Sequence, residues 1–313
     1  MLVFPRSRNG YTLVEVLVVT ATVCFVAAIL LSAVQSVREA ARQAQCSNNL
    51  RQIGLALQAY TSSVSVFPGL NNGRKRFSPH AMLLPFIDHE TLFYSMNFDV
   101  ASSSQANQTA ASMKLGVFLC PSDHGASFRL AGNNYAGNTG YGFQVFGRLN
   151  GIFSKGSSPP TAIRDVRDGT SSTAMMSEWI LGALDPRYSD ARQNVYSTPT
   201  RLEKASEFDQ FTDLCSLQDL STSEDRWGAK GSQWIAGEMG ASGYNHNLGL
   251  NQNSCFNGGL VFQGAWTAGS RHASGANVLF ADGHTRHLTD SISLSVWRAL
   301  GTRDQGEIVD EAF

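Results

Sequence analysis

From Tyr11 the chain runs through a long apolar stretch and then changes rhythm twice. Between Tyr11 and Val34 the only polar or charged residues are Thr12, Glu15, Thr20, Thr22 and Ser32, with no Gly or Pro. That is about the length of apolar helix needed to cross a bilayer. Further on, Val34, Val37, Ala41 and Ala44, then Leu50, Ile53, Leu57 and Tyr60, recur at three- and four-residue steps with polar residues between them. This is one amphipathic stripe of a continuing helix. The pattern predicts a single helix from about Leu13 to about Thr61, ended by Phe67-Pro68-Gly69.

Beyond Gly69 the helical period fades. Ala81–Ile87, Gly116–Leu119, Ala174–Ile180, Gly259–Gln263 and Asn277–Phe280 are short and apolar or aromatic, separated by Gly, Asn, Ser and Pro clusters. They read as strands joined by long loops, and an antiparallel sheet is the natural arrangement. Residues 101–112 fit a loop or a weak helix. The polar stretch from Tyr188 to Ser232 fits an exposed insertion with helix around Phe208–Leu217. The sharpest local signal is the run from Ala276 to Leu288, where two strand-like stretches meet at Asp282-Gly283, a hairpin turn. The expected fold class is therefore α+β: a long N-terminal membrane-spanning helix leading into a loop-rich globular domain with an antiparallel β-sheet.

Composition agrees with a loop-rich body, since charged residues are only 16% and there are 29 glycines. A net charge of −1 without a basic cluster argues against a nucleic-acid partner or a polybasic lipid surface. Of five cysteines, Cys24 lies inside the apolar run, where a thiol behaves as a small hydrophobe. Cys46, Cys120, Cys215 and Cys255 remain, an even set that an oxidising compartment would join in any of three pairings, or that could stay as buried thiols. No Cys-x-x-Cys or Cys/His spacing suggests zinc.

The apolar core is too long for an ordinary secretory signal and runs straight into more helix. Arg6 and Arg8 precede it while Arg38 and Arg42 follow, so flanking charge does not set its orientation. The segment Arg8-Asn9-Gly10-Tyr11-Thr12-Leu13-Val14-Glu15 resembles the class III signal of type IV prepilins and type II secretion pseudopilins. The resemblance implies cleavage between Gly10 and Tyr11 by prepilin peptidase, and methylation of the new N-terminus at Tyr11, where that family usually has Phe. It also implies that Glu15 pairs with the amino terminus of a neighbouring subunit during assembly. Physics favours a partner there, because a lone carboxyl in a membrane helix costs several kcal/mol. The plainer reading is that Glu15 lies near enough to the membrane surface to be solvated.

A second resemblance covers most of the chain. It is carried by Ala44-Gln45-Cys46-Ser47-Asn48-Asn49-Leu50-Arg51-Gln52-Ile53-Gly54, by Cys120-Pro121-Ser122-Asp123, by Tyr244-Asn245 with Cys255 behind it, and by His272 placed nine residues before Asp282-Gly283. In that order they resemble the DUF1559 family, which has no firmly assigned activity and which some classifications group with solute-binding proteins. The expected organisation is a leader at residues 1–10, a pilin-like helix at 11–66 with its transmembrane segment at about 11–34, and an extracytoplasmic domain at 67–313.

Chemistry is sparse. His272, Asp282, His284 and His287 could meet across a hairpin, yet Asp282 is explained by the turn, and an odd step puts His284 and His287 on opposite strand faces. A structural, hydrogen-bonding role is expected for His272, Asp282 and Gly283. The stretch Asp165–Thr173 has the outline of an acidic calcium loop but lacks the alternating ligands and downstream Glu, so a plain turn is expected. Nucleophile elbows, phosphate-binding Gly loops and His-Glu-x-x-His are absent. The expectation is no enzyme, no catalytic residue, no metal and no cofactor. The leading functional expectation is a pseudopilin-like subunit in the inner membrane, with its domain in the periplasm or outside the cell and a route into a fibre. Its partners would be prepilin peptidase and copies of itself or of other pilin-like subunits. The alternative is a tethered solute-binding protein using the same export route, with Trp179, Trp227, Trp234 and Trp266 as candidate pocket walls.

Overall fold

The computed structural model describes residues 10, 12–71, 73–123, 131–143, 149–155, 158–183, 190–218 and 226–307. Residues 1–9 of the expected leader and Tyr11 lie outside that set. The chain divides into two compact units, residues 1–43 and 44–313, with the division falling inside the first helix.

Helix α1 runs from Leu13 to Val64. Its start is a capping box: the Thr12 backbone N–H and hydroxyl donate to Glu15 Oε2 at 2.8 and 2.9 Å, and the Glu15 N–H donates to Thr12 Oγ1 at 3.2 Å. Within the apolar run, Thr20 and Thr22 donate their hydroxyls to the carbonyls of Val16 and Val18, and Ser32 donates to Ile29. The few polar side chains are thus satisfied inside the helix, as a lipid-exposed helix requires. From Leu13 to Val37 the large apolar residues are exposed on every face. The burial changes at Cys46: Cys46, Asn49, Leu50, Ile53, Gly54, Ala56 and Leu57 are all buried.

Three short helices follow, α2 (Pro79–Leu83), α3 (Glu90–Ser95) and α4 (Gln108–Ala111). The first corrects the strand expected at Ala81–Ile87, which is helical and continues as a 3-10 turn at Leu84–Phe86. Ser78 caps it by accepting from the Ala81 N–H, and Pro79 occupies the first turn, where its missing N–H is no loss. Gly116–Phe118 is likewise a 3-10 turn rather than a strand. Then come β1 (Tyr135–Asn138), β2 (Ala174–Glu178), β3 (Val195–Ser197), α5 (Phe208–Ser216), β4 (Arg226–Trp227), β5 (Gly243–Tyr244), β6 (Ser254–Asn257), β7 (Leu260–Ala265), β8 (Gly275–Phe280), β9 (Thr285–Thr289) and α6 (Leu294–Gly301).

The strands form two sheets, one in the order β5-β1-β2-β8-β9 and one in the order β4-β3-β6-β7. Most neighbours are antiparallel as expected, but β1 with β5 and β3 with β6 are parallel, so each sheet is mixed. Parallel partners need long crossovers, and those pairings leave no local mark in sequence. The main core contains Leu50, Ile53 and Leu57 of α1 together with Met176 of β2 and Leu279 of β8, whose side chain lies against α1 at Gly54. A smaller one holds Phe211 and Cys215 of α5 against Cys255 and Ala265. Asn245 links the sheets, donating to the Gly264 carbonyl at 2.8 Å and accepting from the Trp266 N–H at 3.0 Å.

Candidate functional site

The motif segments that are distant in sequence converge on one buried polar node. Cys46, on the first buried turn of α1, is disulfide-bonded to Cys120 across 74 residues. The other pair is Cys215 with Cys255, so of the three pairings open to sequence the structure adopts this one. One turn beyond Cys46, Asn49 spans the gap to the body: its Nδ2 donates to the Leu119 carbonyl at 3.0 Å and to the Tyr135 hydroxyl at 3.2 Å. Tyr135 opens β1 and stands opposite Glu178 in the β1/β2 register. Burial, followed by the charge of Glu178, pushes the Tyr135 phenol far above its ordinary value, so it stays protonated.

Glu178 ends β2 and is buried. It is held from one side by Asn277 of β8, whose backbone N–H donates to Oε2 at 2.8 Å and whose Nδ2 donates to Oε1 at 3.0 Å. On the other side His272 Nε2 lies 3.5 Å from Glu178 Oε1 and 3.5 Å from Cys120 Sγ. One ligand atom from each of Cys46, Cys120, Glu178 and His272 falls within 4.8 Å of all the others. With the disulfide closed, the sulfurs carry no charge and the node ties α1 to the sheet.

A second layer of charge adjoins it through the neighbours of the motif residues. Asp123 accepts from Asn134 Nδ2 at 2.6 Å and from the Leu181 N–H at 2.7 Å, and Arg271 lies 3.5 Å from its other oxygen. Arg271 and Arg192 both reach Asp190, at 2.6 and 3.1 Å. Partial burial raises the Asp190 carboxyl, but the bonds from Arg192 and Arg271 outweigh it and hold the group at about 2. Lys230 is fully buried beside them and donates to the Arg192 carbonyl at 2.8 Å. Burial pushes its amine down to about 7, with Asp123 pulling the other way.

The far end of the motif does different work. Ala281, Asp282 and Gly283 form the β8/β9 loop, with a type I turn closed by the Gly283 N–H on the Phe280 carbonyl at 2.9 Å and Gly283 left-handed at φ 93°. Gln58 of α1 donates to the Asp282 carbonyl at 2.6 Å, and a Cβ on Gly283 would lie 2.3 Å from Gln58 Nε2. The Asp282 N–H donates in turn to the Thr170 carbonyl at 3.0 Å. The nine-residue spacer therefore has a physical meaning. The five steps from Gly275 to Phe280 of β8 cover about 17 Å at roughly 3.3 Å each. Cys46 to Gln58 on α1 is about 18 Å at 1.5 Å per residue. His272 reaches the helix at its Cys46 end through the disulfide, and the Asp-Gly turn reaches it at Gln58.

His284 bonds Asp282 through Nδ1 at 2.6 Å and stacks on Phe280, away from the His272 node, and His287 pairs with Asn277 across the hairpin. Asp165 and Asp168 are occupied by backbone N–H groups: Asp165 by Ala162, and Asp168 by Gln305 and Gly306. Among the four tryptophans offered as pocket walls, Trp179, Trp234 and Trp266 are buried core residues, while Trp227 is 36% exposed and packs edge-on against Trp266. Gly10 is exposed, just ahead of the α1 cap. Sequence reasoning missed Tyr135, Glu178 and Lys230, and it named Asn49 and Asn277 only within a motif and a strand, with no role for their side chains. Glu178 could have been found as the single acid in the apolar run Ala174–Ile180. Glu15 as a cap was legible in Thr12-x-x-Glu15. Nothing local marks Lys230.

The fold and the node together define a class: a helix apolar enough to cross a membrane, whose second half is stapled into an α+β body by a disulfide and a buried His–Glu pair. A family model described as a protein of unknown function, DUF1559, matches residues 35–295, and the chain belongs to that family. No curated protein and no solved structure matches it.

Proposed function

We propose that this chain is a pseudopilin-like structural subunit, cut between Gly10 and Tyr11 by prepilin peptidase, methylated at Tyr11 and held in the inner membrane by α1. Its body then lies outside the cytoplasm and packs with like subunits in a type II secretion or type IV pilus-like assembly, without catalysis of its own. The observation that carries this reading is the segment Leu13–Val37, exposed and apolar on every face, with its hydroxyls turned back onto the helix and the Gly10-Tyr11 junction immediately ahead of it. Such a surface needs lipid or other apolar helices around it. The two disulfides favour an oxidising compartment for the body.

Mass spectrometry of the chain from its native membrane should find Tyr11 as the mature, methylated N-terminus, and Gly10→Val should leave the precursor uncut. A different N-terminus sinks the proposal. Glu15 separates assembly from simple capping. Gln serves a capping box nearly as well as Glu, so Glu15→Gln leaves the helix start intact while removing the charge a neighbouring amino terminus would pair with. Loss of crosslinked oligomers in that variant supports the assembly role; unchanged crosslinking reduces Glu15 to a cap. A ligand-dependent rise in melting temperature across a panel of sugars and peptides would instead favour solute capture.

A further inference from the structure

We propose that Cys46, Cys120, His272 and Glu178 form a closed tetrahedral zinc site when the Cys46–Cys120 disulfide is reduced, so that one staple exists in two chemical forms. The donors are those zinc takes: two thiolates, one imidazole nitrogen and one carboxylate oxygen. Their atoms already lie within 4.8 Å of one another. Bonds of about 2.0 to 2.3 Å to a shared ion would set the donors roughly 3.5 Å apart, so the widest pairs need to close by only about 1 Å, while the two sulfurs part by about 1.5 Å once the bond between them is broken. All four residues are buried, and the outer shell is present: Asn277 holds both oxygens of Glu178 through its backbone N–H and its amide.

The second disulfide supplies an internal contrast. Cys215 and Cys255 pack with Phe211, Leu248 and Ala265, an apolar setting that suffices for a covalent staple. Among the described residues no His, Asp or Glu groups with those two sulfurs, whereas both an imidazole and a carboxyl group have been buried beside Cys46 and Cys120. Burying such groups is costly, and a disulfide has no use for them.

The chemistry balances with a dithiol reductant. It delivers two electrons and two protons, the Cys46–Cys120 bond breaks into two S–H groups, and the reductant closes its own disulfide. Zinc then displaces both thiol protons to solvent as two Zn–S bonds form. Neutral His272 binds through Nε2 and keeps its proton on Nδ1, and Glu178 supplies the fourth bond.

The test uses the full chain in detergent, reduced with a phosphine, loaded with zinc and freed of excess metal. Elemental analysis should find one zinc per reduced chain and none per oxidised chain. Alkylation mapped by mass spectrometry should find Cys46 and Cys120 protected by zinc while Cys215 and Cys255 still react. His272→Ala and Glu178→Gln should each weaken zinc binding at least about 10-fold, the second while keeping the shape of the site. The proposal is overturned if the reduced chain takes up no zinc, whether or not it stays folded. It is equally overturned if protection is the same at all four cysteines, or if Glu178→Gln binds zinc as the parent does.

Discussion

At the scale of single residues, the Asp-Gly turn shows how a local signal acquires a tertiary reason. Any hairpin of this type favours Gly at the left-handed position. Here the position is also pressed against α1, since a Cβ would meet the Gln58 amide at 2.3 Å. Gly283→Ala should therefore cost more than about 1 kcal/mol, combining backbone strain with displacement of Gln58 and its bond to Asp282. Because Gln58→Ala removes the obstacle, the double variant should be more stable than the sum of the two losses predicts. A double-mutant cycle from denaturant melts checks this, and strict additivity would mean that the helix and the turn do not press on each other.

At the scale of elements, α1 is one helix with two environments. The stripe expected from Val34 to Tyr60 divides: Leu50, Ile53 and Leu57 are fully buried, while Val34, Val37, Ala41 and Ala44 are exposed. Periodicity reports that a face is apolar, not what covers it. Two leucines five positions apart make the division measurable. Leu50→Ala should destabilise the body by about 2–5 kcal/mol, as cavity formation in a packed core does. Leu55→Ala, at a side chain 63% exposed, should change it by about 0.5 kcal/mol or less. Comparable losses at both sites in thermal melts would mean that the Leu55 face is covered too.

At the scale of the whole molecule, the buried histidines make stability depend on pH. Burial pushes His80 down to about 4 and His246 down to about 3, although each ring has a nitrogen on a backbone carbonyl, Tyr135 at 2.7 Å and Trp297 at 2.6 Å, which works the other way. In the unfolded chain both titrate near 6.5. Below that value the unfolded chain takes up protons that the folded chain refuses. Stability should thus be fully present above pH 6.5 and fall as pH drops toward 4, by up to about 1.4 kcal/mol per pH unit for each histidine. Asp190, held at about 2, adds a loss only in more acid solution. Melting temperatures between pH 7 and 4 check the trend, and His246→Gln should remove about half of the slope. A flat profile would show that the two rings are not held neutral.

What the sequence determined by itself was whatever depends on neighbours along the chain. The apolar run and its hydroxyls, the length of α1, helix α5, and the β8/β9 hairpin with its Asp-Gly turn all follow from periodicity and turn chemistry, because each is stabilised by contacts a few residues apart. An apolar run as short as Ala81–Ile87 is ambiguous between helix and strand, so its helical form was not determined locally even with Ser78-Pro79 ahead of it. Only the tertiary structure decided the parallel pairings of β1 with β5 and β3 with β6, the choice among disulfide pairings, and the meeting of His272 with Glu178 and Cys120. Those contacts join residues dozens of positions apart, and a buried carboxyl such as Glu178 is selected by the partners folding brings to it. The spacing of His272 from Asp282-Gly283 belongs to both: it is plain in the sequence, yet only the fold shows that its two ends meet one helix more than two hundred residues upstream, His272 by way of the Cys46–Cys120 disulfide and the turn at Gln58.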